Sequence, residues 1–209
     1  MILVGLTGGI ASGKSIVSGF LQKEGAVIVD ADEICHTLIL KGHKAYSKVI
    51  SAFGTQILNS EGEINRKKLG NIVFKDAQAR EHLNQILHPL VFAQLDTEKQ
   101  RIAREAPHRV LIFDAPLLIE TQAYKKMDRV LLVYVDRKTQ HRRLIRHRGL
   151  TPAEATLRIA AQMPLDEKRR FADEIIDNNK SLDALKDEVH AIYQRLLKKA
   201  ADIEPETPA

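Results

Sequence analysis

One run near the start, Gly8-Gly9-Ile10-Ala11-Ser12-Gly13-Lys14-Ser15, restricts what this chain can fold into more than any other stretch. It fits the pattern G-x-x-x-x-G-K-[ST]. It lies directly behind the apolar segment 2–6 and opens a segment whose apolar residues, Ile16, Val17, Phe20 and Leu21, recur at helical spacing. A strand, a glycine-rich turn and a helix in that order bring successive backbone N–H groups to the positive end of a helix, which favours a bound phosphate. Gly8, Gly9 and Gly13 permit the backbone angles and close approach that this requires. The run and Ile16 after it are therefore the expected nucleotide-binding residues. Lys14 would reach the β- and γ-phosphates of ATP, and Ser15 would offer its hydroxyl to Mg²⁺. Read blandly, the same residues are a strand-to-helix turn with no ligand.

Further apolar runs bounded by turn signals read as strands at 26–29, 110–113, 130–135 and 174–176. Unbroken apolar stretches such as 130–135 suit strands covered on both faces, as in a parallel sheet. Their alternation with helical patterns predicts an α/β fold with a doubly wound parallel sheet of the P-loop NTPase type, whose ligands sit at the carboxyl ends of the strands. Two long stretches interrupt the alternation. The region 33–109 holds no convincing buried strand and reads as a helical insertion, with turns at Gly54 and 59–63 and a helix over 83–104 interrupted near Pro89. A second helical insertion follows the fourth strand, broken at Gly149 and Pro164. The final helix, 182–199, carries Leu182, Leu185, Val189, Ile192, Leu196 and Leu197 as a stripe for the sheet. The tail 201–209 has almost nothing apolar beyond its start and is expected to be disordered.

The formal net charge is +5, and its distribution says more than its total. Between 137 and 148 stand Arg137, Lys138, His141, Arg142, Arg143, Arg146, His147 and Arg148, with no acid among them. Arg142 and Arg146 are four apart and Arg143 and Arg146 three apart, so a helix brings all three to one side, where they can converge on phosphates. Phosphoryl transfer rewards such charge, because its transition state spreads negative charge over the equatorial oxygens. The plainer reading is a solvated basic face. The second strand ends in Val29-Asp30-Ala31-Asp32, two carboxylates at the sheet edge. Either can cap the helix that follows, and the acceptor-side position favours Asp32 as general base. Val110-Leu111-Ile112-Phe113-Asp114 has the form of a strand followed by an acid that supports Mg²⁺, and equally of any buried strand ending in Asp. His88 precedes Pro89 at a corner that either faces a ligand or only turns the chain.

The single cysteine, Cys35, cannot form an internal disulfide. With no basic leader before the apolar start and no apolar stretch of membrane-spanning length, the expected location is the cytoplasm, away from any membrane. The basic charge also suits a nucleic-acid-binding ATPase. Against that, the six Phe and four Tyr are not interleaved with basic residues as a single-strand platform favours.

Six segments taken together resemble the dephospho-coenzyme A kinase family: the run from Leu6 to Ser15, Asp30-Ala31-Asp32, Leu87-His88-Pro89, Pro116-Leu117-Leu118-Ile119-Glu120, Ala161-Gln162-Met163-Pro164 and Ile176-Asp177-Asn178-Asn179. The likeness covers nearly the whole chain, to about residue 197. It implies transfer of the ATP γ-phosphate to the ribose 3′-hydroxyl of dephospho-coenzyme A, with Mg²⁺ and with no nucleic-acid or membrane partner. It also implies a nucleotide-binding core of 1–36, 91–136 and 173–200, an acceptor-binding insertion of 37–90 and a lid of 137–172. In the family pattern Asp32 is the acid near the acceptor hydroxyl, with His88, Pro116 and Leu117 on the substrate side and Asn178 beside the adenine. Lys14, Arg143 and Arg146 join Asp32 as the expected catalytic side chains, although which lid arginine meets the γ-phosphate stays open. Three positions depart from the pattern: Ala11 replaces a glycine, His147-Arg148 stands for Arg-Asp, and Lys180 for the glycine after Asn179. A negative φ accommodates the Ala11 methyl, and His147 carries charge only part of the time near neutral pH. A P-loop kinase for another small acceptor, a nucleoside, nucleotide or sugar acid, is the alternative.

Overall fold

The computed structural model describes residues 1–203. Five strands, β1 (Ile2–Gly8), β2 (Val27–Asp30), β3 (Val110–Asp114), β4 (Arg129–Tyr134) and β5 (Glu174–Asp177), form one parallel sheet in the order β2-β3-β1-β4-β5. Each lies within two residues of the boundaries read from its apolar run. β1 is central: Ile2 to Leu6 register with Val110 to Asp114 on one side, and Val4 to Gly8 with Arg129 to Val133 on the other. Every residue of β1 is buried, as a strand covered on both faces requires. Because β2 and β3 lie on one side of β1 and the chain then crosses to β4 and β5 on the other, the crevice of a doubly wound sheet opens at the carboxyl end of β1, where the glycine-rich run begins.

The first helix, α1 (Lys14–Glu24), packs Val17 and Leu21 on one face of the sheet. Beside them lie Leu185, Val189, Ile192, Tyr193, Leu196 and Ala200 of the last helix, Leu182–Asp202. Ile2, Val4 and Leu6 meet this layer, alternate residues of β1 as the pleat dictates. Leu182, counted in the apolar stripe, is instead 59% exposed, being the first helical residue after the Ser181 cap. The helix also takes in Ala201 and Asp202 of the expected tail and is capped by Ile203; residues 204–209 of that tail lie outside the described residues.

The chain divides into two compact units, one of Met1–Val29 with everything from Lys99 onward, the other Asp30–Glu98. The second holds α2 (Ala31–Leu38), α3 (Tyr46–Phe53), α4 (Arg66–Lys75) and the greater part of α5 (Ala77–Glu105), around Val49, Phe53, Ile57, Leu69, Leu87, Val91 and Leu95. The 59–63 segment is a turn, flanked by a single antiparallel bridge from Leu58 to Ile64 and closed by Asn59 Oδ1, which accepts from the N–H groups of Glu61 and Glu63. The interruption expected near Pro89 is absent, for α5 runs through it. Proline removes one helical N–H donor, but the buried side chains of Leu87, Val91 and Leu95 around it keep the helix in place.

The remaining helices are α6 (Arg137–Arg148), α7 (Pro152–Ala160) and α8 (Leu165–Lys168), with the last helix as α9. They break where the sequence indicates. Gly149 caps α6 in a left-handed conformation, Thr151 and Glu154 form a capping box on α7, and Pro164 precedes α8. This region groups with the sheet in the first unit. No helix among the described residues is long and apolar enough to cross a membrane.

Candidate active site

At the end of β1 the backbone turns through Gly9 to Gly13, and Gly13, at φ 88°, caps α1. Only glycine suits that position, since a Cβ there would be strained at this φ and would lie 2.1 Å from Asn178 Nδ2. The turn opens on a cleft of ≈ 740 Å³ whose walls include Gly8, Gly9, Ile10, Ala11, Gly13, Lys14, Ser15 and Ile16. Pro116, Gln162, Arg143, His147 and Arg148 complete it. The helix leaves its first N–H groups without intrahelical partners there, a positive end suited to phosphate.

Lys14 forms an ion pair with the carboxylate of Asp114, which is nearly buried at the end of β3. Strand register places Asp114 opposite Leu6, so the acid stands beside the start of the glycine-rich run. Ser15 lies one residue beyond Lys14 in the first turn of α1. Ser15 and Asp114 thus bring a hydroxyl and a carboxylate, hard oxygen donors of the kind Mg²⁺ takes.

Amide and guanidinium groups hold the turn in place. Ile10 N–H donates to Gln162 Oε1 at 2.7 Å, and its carbonyl accepts from Gln140 Nε2 at 2.8 Å. The Ser12 carbonyl accepts from Asn178 Nδ2 at 2.7 Å. Arg143 donates to the carbonyls of Ala11 and Ser12, each at 3.3 Å, and to that of Asn178 at 2.8 Å. Burial first, and then Arg142, lowers its pKa from the ordinary guanidinium value. Asn178, expected beside the adenine, is buried with its amide on the turn itself.

The basic helix does not act as one surface. Arg143, His147 and Arg148 line the cleft; Arg142 bonds Thr139 Oγ1, and Arg146 is exposed and is not among the lining residues. Ala11 stands at φ 59°, not at the negative value expected to accommodate its methyl. Pro116 is in the cleft wall, whereas Leu117 beside it is 39% exposed. Gln140 and Lys168 carry no signal in the sequence, and Gln162 is marked only by its place in the Ala161-Gln162-Met163-Pro164 segment. Nothing in the spacing of a lone glutamine marks it as a brace for a turn more than a hundred residues away.

In the second unit Asp30 is the N-cap of α2, its carboxylate accepting from the N–H groups of Asp32 and Glu33 at 2.8 and 3.1 Å. Asp32 follows in the first turn. Burial, with Asp32 and then Asp30 nearby, pushes the Cys35 thiol up to about 11, so it stays protonated near neutral pH. His88 packs edge-on against Phe92 with ring centroids 6.5 Å apart, and burial lowers its pKa while Glu81 opposes that.

The model of the dephospho-CoA kinase family matches residues 2–184. The dephospho-CoA kinase of Halalkalibacterium halodurans is 42% identical over 194 residues, 93% of this chain and 96% of its own. Among solved structures, TT1252 from Thermus thermophilus superposes with a TM-score of 0.79 at 30% identity, over 93% of this chain and 97% of its own. The dephospho-CoA kinase from Campylobacter jejuni gives 0.69 at 27% identity, over 94% and 98%. A lysine, a serine and an aspartate around a glycine-rich turn suit any P-loop kinase; the match along the chain narrows the choice, and this protein belongs to the dephospho-CoA kinase family.

Proposed function

We propose that this protein transfers the γ-phosphoryl group of ATP to the ribose 3′-hydroxyl of dephospho-coenzyme A, the last step of coenzyme A synthesis. The observation that carries the reading is the ion pair of Lys14, which lines the glycine-rich cleft, with the buried Asp114, in a chain of this family. When ATP enters, Lys14 turns from Asp114 to the β- and γ-phosphates, and backbone N–H groups at the start of α1 take the remaining phosphate charge. Ser15 and Asp114 are then the residues to hold Mg²⁺, which when bound neutralises phosphate charge. The ribose 3′-oxygen attacks the γ-phosphorus, the bond from that phosphorus to the β–γ bridging oxygen breaks to release ADP, and the hydroxyl proton passes to the carboxylate of Asp32. Arg143 supports the charge that spreads over the transferring group, with Arg146 as the second lid arginine to test. His88, with its pKa lowered by burial, meets the acceptor as a neutral imidazole, and Pro116 and Leu117 offer apolar contact. The lone thiol of Cys35 fits a cytoplasmic setting.

The test is ADP release from ATP across a panel of acceptors: dephospho-coenzyme A, nucleosides, nucleotides, sugar acids and single-stranded DNA. Turnover with dephospho-coenzyme A should exceed the others by at least about 10²-fold in kcat/KM, the discrimination expected of a site built for particular polar groups. Comparable or better turnover of another acceptor would overturn the assignment.

A further inference from the structure

Lys168 ends α8 with no solvent exposure, an unusual place for an ammonium group. Its Nζ donates to the carbonyl of Pro116 at 2.8 Å and pairs with Glu120 Oε1 at 2.9 Å. The same carboxylate oxygen accepts from Met163 N–H at 3.3 Å, and Thr7 Oγ1 donates to the same Pro116 carbonyl at 3.1 Å. Glu120 Oε2 is buried with no hydrogen-bond partner among the described residues. Burial lowers the Lys168 pKa and Glu120 opposes it.

A buried ion pair of this kind is weak evidence for stability, since apolar side chains of similar volume often replace it without loss. Its geometry has a clearer use. Pro116 lines the nucleotide cleft two residues after Asp114, the partner of Lys14. Met163 follows Gln162, whose side chain holds Ile10 of the glycine-rich turn. The segment 162–168 is thus tied at one end to that turn and at the other, through Lys168 and Glu120, to the loop after β3.

We infer that Lys168 is a positioning residue for phosphoryl transfer: by gripping the Pro116 carbonyl and the Glu120 carboxylate it fixes the loop after β3 against the glycine-rich turn, and with it Pro116 in the cleft wall and the nearby Asp114 that pairs with Lys14. The inference rests on the phosphoryl-transfer reading above. Lys168 is fully buried and is not among the residues lining the cleft, so its effect is on alignment, where a displacement of about 1 Å can lower a rate by about 10²-fold.

The experiment compares Lys168→Met, Glu120→Gln and the double variant, using urea unfolding, ATP binding and steady-state kinetics with dephospho-coenzyme A. Lys168→Met alone should be less stable, because it leaves the Glu120 carboxylate buried without its cation. The double variant should recover most of that stability yet keep a kcat lowered by about 10- to 100-fold, with the KM for ATP changed far less. Wild-type kcat in a folded double variant overturns the inference and reduces the pair to a core spacer. Should the double variant not fold, Glu120→Gln decides, since it takes the charged partner from Lys168 with little change of side-chain size: a lowered kcat at unchanged ATP binding supports the assignment and an unchanged kcat overturns it. A wild-type chain that turns over no dephospho-coenzyme A while binding ATP overturns the functional reading and this inference with it.

Discussion

Asp30 and Asp32 differ in which side of a helix boundary they occupy. Asp30, at the last position of β2, has extended backbone angles and caps α2; Asp32 is inside the first turn. A cap is worth about 0.5–2 kcal/mol, whereas a general base contributes about 10²–10⁴ in rate. Asp32→Asn should therefore retain ATP binding and folding while losing kcat by about 10²–10⁴-fold. Asp30→Asn keeps a good capping side chain and should stay within about threefold of wild type, since Asn and Asp cap almost equally. Steady-state kinetics of both variants, with melting to check folding, separates the roles, and the opposite ranking would exchange them. Ala11 makes a second residue-scale case. Its φ of 59° is a conformation that L-residues avoid. Ala11→Gly relieves that strain but loosens the unfolded chain, so stability should rise by no more than about 1 kcal/mol. A loss larger than that in urea unfolding would show that the methyl makes contacts outweighing the strain.

Helix α6 shows how an element divides its residues. At 3.6 residues per turn, Arg146 falls about 60° to one side of Arg143 and His147 about 40° to the other, so the helix alone permits either to accompany it. Contacts of Arg143 with Ala11, Ser12 and Asn178 fix the rotation, and His147 rather than Arg146 lines the cleft with it. Arg143→Ala should lower kcat by about 10²-fold or more, as for loss of a preorganised donor, and should also weaken the turn it holds. Arg146→Ala should change kcat by less than about threefold, as for a solvated charge. Equal losses in parallel assays would mean that α6 rotates or moves during turnover, bringing Arg146 to the phosphates.

For the molecule as a whole, binding of ATP stabilises only the folded state. At about 100 times Kd this adds roughly 2.7 kcal/mol, which for a chain of this size raises Tm by about 5–10 °C. Lys14→Ala should melt below the wild-type temperature without nucleotide, because it takes a cation from the buried Asp114 carboxylate, and should also lose most of the ATP-induced shift and abolish transfer; a full shift with normal turnover would remove Lys14 from the ATP site. What the sequence determined by itself is whatever burial writes into neighbouring residues. All five strands, the glycine-rich turn between β1 and α1, and the helix breaks at Gly149 and Pro164 are legible because apolar runs, positive φ and lost N–H donors act over a few residues. The strand order, the passage of α5 through Pro89, the rotation of α6 and the burial of Lys168 were decided by the tertiary structure. Each depends on partners remote in the chain, as when Gln162 holds Ile10 across 152 positions or Lys168 reaches Pro116 across 52. Such contacts leave no periodic trace in the sequence, because a hydrogen bond needs one suitable atom at the right place and not a repeated pattern of residue types.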